Sequence, residues 1–298
     1  MTSCNGSGFK SVSGASVAMR QGRVQCLSSG QLHRMAYTDW GDEANPRVLV
    51  CVHGLSRNGR DFDTLAAALS EDFRVICPDL PGRGESDWLI NKADYTVPAY
   101  LSHILTLIAR LGVEQVDWLG TSMGGMIGMS LAALPENPVR RLILNDVGPV
   151  LSAPALSRIG EYVGRAPVFD SVDAAERYLR TVCPGFGPLS DAQWRLLIEH
   201  GLRRDPDGWR TNYDPAIGDV MRAQPLKTDM LMWPIYDAIR SPTLAIRGEH
   251  SDLLTHATLE AMRERGPHAQ TLEIADTGHA PMLMDGAQIE RVREFLLR

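Results

Sequence analysis

The run Gly120-Thr121-Ser122-Met123-Gly124, extended by Gly125, satisfies a Gly-X-Ser-X-Gly pattern. Such a serine is a candidate nucleophile when a strand leads into it and a helix leads away. Both flanks are present: Val116 to Leu119 reads as a buried strand, and Met126 to Leu134 as an apolar helical run. A strand that turns sharply into a helix strains the residue at its tip, so the neighbours must lack bulk. Glycines at 120 and 124 meet that need. The hydroxyl is thereby lifted clear of the sheet. The first N–H groups of the helix then face developing negative charge, which makes Met123 N–H the natural oxyanion donor. To attack a carbonyl, the hydroxyl also needs a base within hydrogen-bond reach and a carboxylate that orients that base.

The elements that must position these groups follow a β-α-β rhythm. Val48 to Val52 is continuous and β-branched, as a strand buried on both faces requires. Arg74 to Cys77, Val116 to Leu119, Leu142 to Leu144 and Thr243 to Ile246 are its expected neighbours, and Leu272 to Ile274 is the last strand. Between them Val97, Leu101, Ile104, Ile108 and Leu111 recur at helical spacing, with Gly112 as the stop. Phe62, Leu65, Ala66 and Leu69 repeat the pattern behind Asn58, a candidate N-cap. The fold class is α/β, a mostly parallel doubly wound sheet.

The rhythm breaks after Pro149. From residue 150 to 239 there are helical patterns, such as Ala174 to Val182 and Asp191 to Leu202, and no convincing strand, so this stretch is expected to be an all-helical insertion. The expected domain plan is a flexible tail over 1–24, a core built from 25–149 and 240–298, and the insertion between them. Ser and Gly dominate the first 24 residues, and their apolar residues are too dispersed for an export signal.

Bulk properties exclude several classes of function. The chain has 298 residues, a formal net charge of −6 and 22% charged residues, with no basic stripe to follow a phosphate backbone, so nucleic acid is not an expected partner. No run reaches the roughly 18 apolar residues of a membrane span. The five cysteines include no Cys-X-X-Cys pair, which fits reduced thiols and a cytoplasmic location. The eight histidines include no His-Glu-X-X-His or His-X-His pair, and the Gly-X-Gly at 82 to 84 lacks the rest of a phosphate loop. Neither a metal nor a cofactor is expected.

From about Gln25 to its end the chain resembles the α/β-hydrolase family, and four spaced motifs carry the likeness. The elbow at Ser122 is joined by Val52-His53-Gly54-Leu55, a His-Gly loop which in this family supplies the second oxyanion N–H; by that match the donor is Leu55. His53 itself reads as a turn histidine bonded to backbone. Asp79-Leu80-Pro81-Gly82-Arg83-Gly84-Glu85-Ser86 resembles the family's glycine-rich turn and reads as structural. Gly278-His279-Ala280-Pro281 follows the last strand, which makes His279 the expected base. Arg247-Gly248-Glu249-His250-Ser251-Asp252 follows the strand at 243 to 246, and Asp252 matches the acid position in the order Ser, Asp, His.

Asp146 is the rival acid, because it follows the strand at 142 to 144. Glu249 and Asp276 are weaker rivals. His250 and His256 share the acid's own loop and read as solvated or capping residues.

The resemblance implies a serine hydrolase working through an acyl-enzyme on Ser122, with the insertion serving as a cap over the site. The expected substrates are small or short-chain soluble esters, with short hydroxyalkanoate oligomers as one class. A carbon-carbon hydrolase or enol-lactonase of the same fold is the alternative, and a small-molecule receptor on a hydrolase fold is the alternative from another class. Arg57, Trp233 and Tyr236 are the expected substrate-lining residues. Oligomeric state is not legible.

Overall fold

Val48, Val50 and Val52 face one side of a central strand, Leu49 and Cys51 face the other, and all five are buried. Side chains alternate along a strand, so burial on both sides requires a helical layer on each face of the sheet. One layer supplies Ile104, Leu107 and Ile127, the other Leu65, Leu69, Val292 and Phe295.

The computed structural model describes residues 18–223 and 227–298. The sheet begins with an antiparallel hairpin, β1 (Met19–Ser28) and β2 (Gln31–Trp40). Next come β3 (Val48–Val52), α1 (Asp63–Leu69), β4 (Arg74–Pro78), α2 (Val97–Leu111), β5 (Val116–Thr121), α3 (Met123–Ala132) and β6 (Val139–Asn145). The insertion follows as β7 (Val150–Leu151), α4 (Ala153–Tyr162), α5 (Val172–Val182), α6 (Asp191–Gly201), β8 (Leu202–Asp205), β9 (Gly208–Thr211), α7 (Ala216–Ala223), β10 (Met230–Leu231) and α8 (Trp233–Ala238). The chain then returns through β11 (Thr243–Gly248), α9 (His256–Glu264), β12 (Gln270–Ile274) and α10 (Gly286–Leu297).

Strand order across the eight-stranded sheet is β1-β2-β4-β3-β5-β6-β11-β12. From β4 to β12 every pairing is parallel, and β2 joins β4 antiparallel. The expected mostly parallel α/β sheet is present, and each of its predicted strands lies within an observed one. In α2 the buried stripe is Tyr100, His103, Ile104, Leu107 and Ile108, with Val97, Leu101 and Leu111 at its half-buried margin. Gly112 ends that helix at φ 72°, a left-handed cap that costs glycine no side-chain clash. Asn58 caps the short turn Gly59–Phe62 that runs into α1, accepting the Arg60 N–H.

Two expectations about organisation need correction. Residues 19–24 belong to β1, so the expected tail does not reach 24, and residues 1–17 lie outside the described residues. The strand is an edge element that buries only Val24 and Cys26, too sparse an apolar pattern to stand out in sequence.

The insertion is also not all-helical. β7 pairs antiparallel with β10 at its neck, and β8 pairs antiparallel with β9. These strands are two to four residues long, below the length at which alternation is readable. Phe169, Ala175, Leu179, Ile198 and Leu202 form a small core of their own within the insertion.

Candidate active site

Ser122 sits between β5 and α3 with φ 53° and ψ −115°, a conformation that L-residues avoid unless the surroundings impose it. The surroundings here leave no alternative. A Cβ on Gly120 would lie 2.2 Å from the Gly124 carbonyl oxygen, and one on Gly124 would lie 2.0 Å from that of Val52. Both obstructions are backbone, so the turn tolerates only glycine at these positions. Ser122 N–H donates to the Asn145 carbonyl at 2.9 Å, which ties the elbow to the end of β6.

His279 hangs on the loop after β12. Its Nε2 is 2.9 Å from Ser122 Oγ, and its Nδ1 is 2.7 Å from Oδ2 of Asp146. Asp146, directly after β6, is fully buried. It also accepts from the Gly248 N–H at 2.8 Å and the Ser251 hydroxyl at 2.7 Å. Asn145 steadies the neighbouring loop by donating to the Pro281 carbonyl and to the Thr121 hydroxyl. Hydroxyl, imidazole and buried carboxylate therefore stand in line, and with Nδ1–H directed to the carboxylate, Nε2 is left to take the hydroxyl proton.

The carboxylate at His279 is thus Asp146 and not Asp252, which corrects the expected assignment. Asp252 is half exposed and forms a bidentate pair with Arg158 of α4, both contacts at 2.8 Å. That arginine holds the Asp252 carboxyl below its usual range against the opposing effect of partial burial. The reason is local geometry: β11 ends at Gly248, and the following turn directs Ser251 inward to Asp146 and Asp252 outward to the pocket rim. Glu249 accepts the Asp276 N–H. Glu249, His250 and Asp276 bring donor atoms within 4.8 Å of one another, and all three are exposed.

Near the elbow, His53 is buried and bridges backbone. Its Nε2 accepts the Leu80 N–H at 3.0 Å, which leaves the proton on Nδ1, 2.7 Å from the Gly54 carbonyl. Burial, followed by the nearby Arg83 cation, pushes its pKa down to about 3, so the ring is neutral and structural. Asp79 anchors the glycine-rich turn by accepting the Gly59 and Glu85 N–H groups, and burial pushes its pKa up to about 6.

A cavity of about 790 Å³ opens above Ser122, lined by Leu55, Met126, Leu156, Ile159, Tyr162 and Met221 among others. That is an ordinary size for a small-molecule site. Arg57 is on its wall, but two of its nitrogens are committed to Asp61 at 2.8 and 2.5 Å. Trp233 and Tyr236 are not among the lining residues, contrary to expectation. Tyr236 is fully buried and donates to the Met262 carbonyl, and the Trp233 ring lies 4.2 Å under the Arg265 guanidinium. They pack α8 against α9. The insertion residues that do reach the cavity come mainly from α4, the segment 182–186 and α7. Of the cysteines, Cys26, Cys51, Cys77 and Cys183 are free, and Cys183 is on the cavity wall. Among the described residues no helix is long and apolar enough to cross a membrane.

This arrangement has relatives. The chain is 49% identical to the 3-hydroxybutyrate-oligomer hydrolase of Cupriavidus necator over 288 residues, covering 94% of this chain and 98% of that protein. It is 28% identical to an esterase of Mycobacterium tuberculosis, covering 81% of this chain and 78% of that one. Among solved structures, an alpha/beta hydrolase from Novosphingobium aromaticivorans superposes with a TM-score of 0.83 at 33% identity, over 94% of this chain and 98% of its own. Residues 49–292 match the alpha/beta hydrolase family as a whole. With the fold, the elbow and these likenesses in agreement, the chain belongs to the alpha/beta hydrolase family.

Proposed function

We propose that the protein is a serine ester hydrolase that cleaves short hydroxyalkanoate oligomers, with Ser122, His279 and Asp146 as its catalytic residues. The observation that carries this reading is the position of His279, within 2.9 Å of Ser122 Oγ and 2.7 Å of Asp146. The substrate class is supported by the 49% identity to the 3-hydroxybutyrate-oligomer hydrolase, which spans nearly the whole of both chains.

In this mechanism Ser122 Oγ attacks the ester carbonyl carbon while His279 Nε2 removes the hydroxyl proton. Asp146 stabilises the imidazolium that forms and keeps the ring in the productive tautomer. The N–H groups of Leu55 and Met123 receive the oxyanion; Met123 is the first residue of α3, and such N–H groups lack an intrahelical acceptor. His279 then protonates the departing alkoxide, which is the hydroxyl end of the next monomer unit. Water, activated by the same imidazole, releases the acyl group as a free hydroxy acid. The insertion acts as the cap that sets substrate size, since α4 and α7 wall the cavity.

The test pairs two assays. Purified enzyme should hydrolyse 3-hydroxybutyrate dimers and trimers and p-nitrophenyl butyrate, and a fluorophosphonate probe should label wild type but not Ser122→Ala. Labelling that persists in Ser122→Ala removes Ser122 as the nucleophile. Hydrolysis of p-nitrophenyl butyrate without any turnover of the oligomers removes the substrate class.

A further inference from the structure

Arg83 is fully buried, yet its hydrogen-bond partners are all neutral. Nε donates to the Leu55 carbonyl at 2.9 Å, and Nη1 to the Pro81 carbonyl at 2.8 Å and the Tyr100 hydroxyl at 2.6 Å. Nη2 lies 3.7 Å from the Met123 sulfur. The Tyr95 and Tyr100 rings flank the guanidinium at 5.6 and 5.1 Å. The nearby buried carboxylate, Asp214, is taken up by the Tyr95 hydroxyl and Lys92. A buried cation without a carboxylate is costly, and a residue that served only to fill space would not need one.

Leu55 and Met123 are the two residues whose N–H groups form the oxyanion hole in the reading above, and they come from different strand ends, β3 and β5. We propose that Arg83 is the positioning residue of that hole: its planar fork holds the Leu55 carbonyl on one side and the Met123 side chain on the other. It thereby sets the separation of the two donors, and it leaves a net positive charge beneath the point where the oxyanion forms. The proposal rests on Ser122 being the nucleophile.

The loop that carries Arg83 is itself fixed from the insertion. Gly84 N–H donates to the Asn212 carbonyl at 3.0 Å, and Asp214 N–H to the Gly82 carbonyl at 2.7 Å. The fork is therefore held at its backbone as well as at its tip. A lysine supplies the charge as a point and cannot span both groups, so charge alone should not suffice.

The experiment compares wild type, Arg83→Met, Arg83→Lys and Tyr100→Phe in kcat and KM for p-nitrophenyl butyrate, and in affinity for phenylboronic acid, which mimics the tetrahedral adduct on serine. In Arg83→Met, kcat should fall about 100-fold, the scale of losing an oxyanion donor, with KM within about threefold and boronate affinity weakened in parallel. Arg83→Lys should recover less than a tenth of the loss. Retention of kcat within threefold in Arg83→Met, or a fall in kcat with unchanged boronate affinity, overturns the proposal. Should Arg83→Met fail to fold, Tyr100→Phe decides, because it frees one arm of the fork in a nearly unchanged volume. Its kcat and boronate affinity should fall together about fivefold, and unchanged values in both overturn the proposal. Failure of wild type to bind boronate or react with fluorophosphonate is a different result: it removes the Ser122 reading first, and Arg83's role with it.

Discussion

Nδ1 of His279 lies 2.7 Å from Oδ2 of Asp146, a residue 133 positions earlier in the chain. Asp252, only 27 positions away, turns instead towards Arg158. The first test follows from this contrast. Asp146→Asn should lower kcat by about 10³- to 10⁴-fold with the fold intact, since the amide cannot stabilise an imidazolium and favours the wrong tautomer. Asp252→Asn should keep kcat within about fivefold, because it breaks an exposed ion pair, worth at most ~1 kcal/mol, and leaves the Asp146–His279 contact in place. Steady-state kinetics on both variants checks the assignment, and the reverse ranking would restore Asp252 as the acid.

The elbow predicts a steric failure at Gly124. The Cβ in Gly124→Ala would lie 2.0 Å from the Val52 carbonyl oxygen, and neither backbone can yield without moving Ser122 or the loop His53-Gly54-Leu55. Destabilisation of ~1–3 kcal/mol is expected, the usual range for overpacking, together with a kcat loss far larger than the stability change accounts for. Chemical denaturation alongside fluorophosphonate labelling separates the two effects. A variant with full labelling rate would show that the elbow has slack.

Stability should decline in mild acid. Burial pushes the pKa of His53 down to about 3 and those of His103 and His200 to about 4, against an ordinary value of 6.5. From pH 6.5 down to about 4 the unfolded chain binds protons that these folded histidines refuse, so their stabilising contribution is present above 6.5 and is lost as pH falls. Asp79 acts in the opposite sense between 3.8 and about 6, where its folded carboxyl holds a proton the unfolded chain lacks. His33, also lowered by burial, adds to the histidine side, and Asp63, raised by burial, adds to the carboxyl side, which leaves four histidines against two carboxyls. Tm should therefore drop between pH 7 and 4.5, and His103→Gln should make that drop shallower; a Tm that rises on acidification contradicts the balance.

Cavity shape makes a prediction about chain length. Leu156, on α4, lines the cavity above Ser122, whereas Trp233 packs outside it. Leu156→Trp should cut kcat/KM for hydroxybutyrate trimers at least tenfold and leave p-nitrophenyl acetate within about threefold. Trp233→Phe should change neither. A panel of esters of rising length reads both outcomes, and equal losses at every length would show that Leu156 acts on the catalytic groups and not on the acyl path.

Much of the fold is legible in the sequence. Continuous β-branched runs such as Val48 to Val52 can be satisfied only between two helical layers, so they announce a parallel sheet wherever they occur. The elbow was legible for a similar reason: a strained serine needs glycines at fixed offsets, and Gly120 and Gly124 stand at them. Elements governed by weaker constraints are less legible, although the two hairpins among them carry turn signals. The two-residue loop Ser29-Gly30, at φ 45° and 76°, marks the β1–β2 hairpin. Pro206-Asp207-Gly208 marks the turn between β8 and β9.

The choice between Asp146 and Asp252 was of another kind. Both follow a strand at its carboxyl end, and sequence order admits either. The deciding facts are that β6 lies between β5 and β11 in the sheet, and that Gly248 and Ser251 donate to Asp146. Strand adjacency and the direction of a loop depend on contacts between distant segments. Local residue types therefore specified the strained serine at the elbow, the candidate nucleophile Ser122, and the strand ends around it, while the packing of those ends against one another decided which carboxylate meets His279.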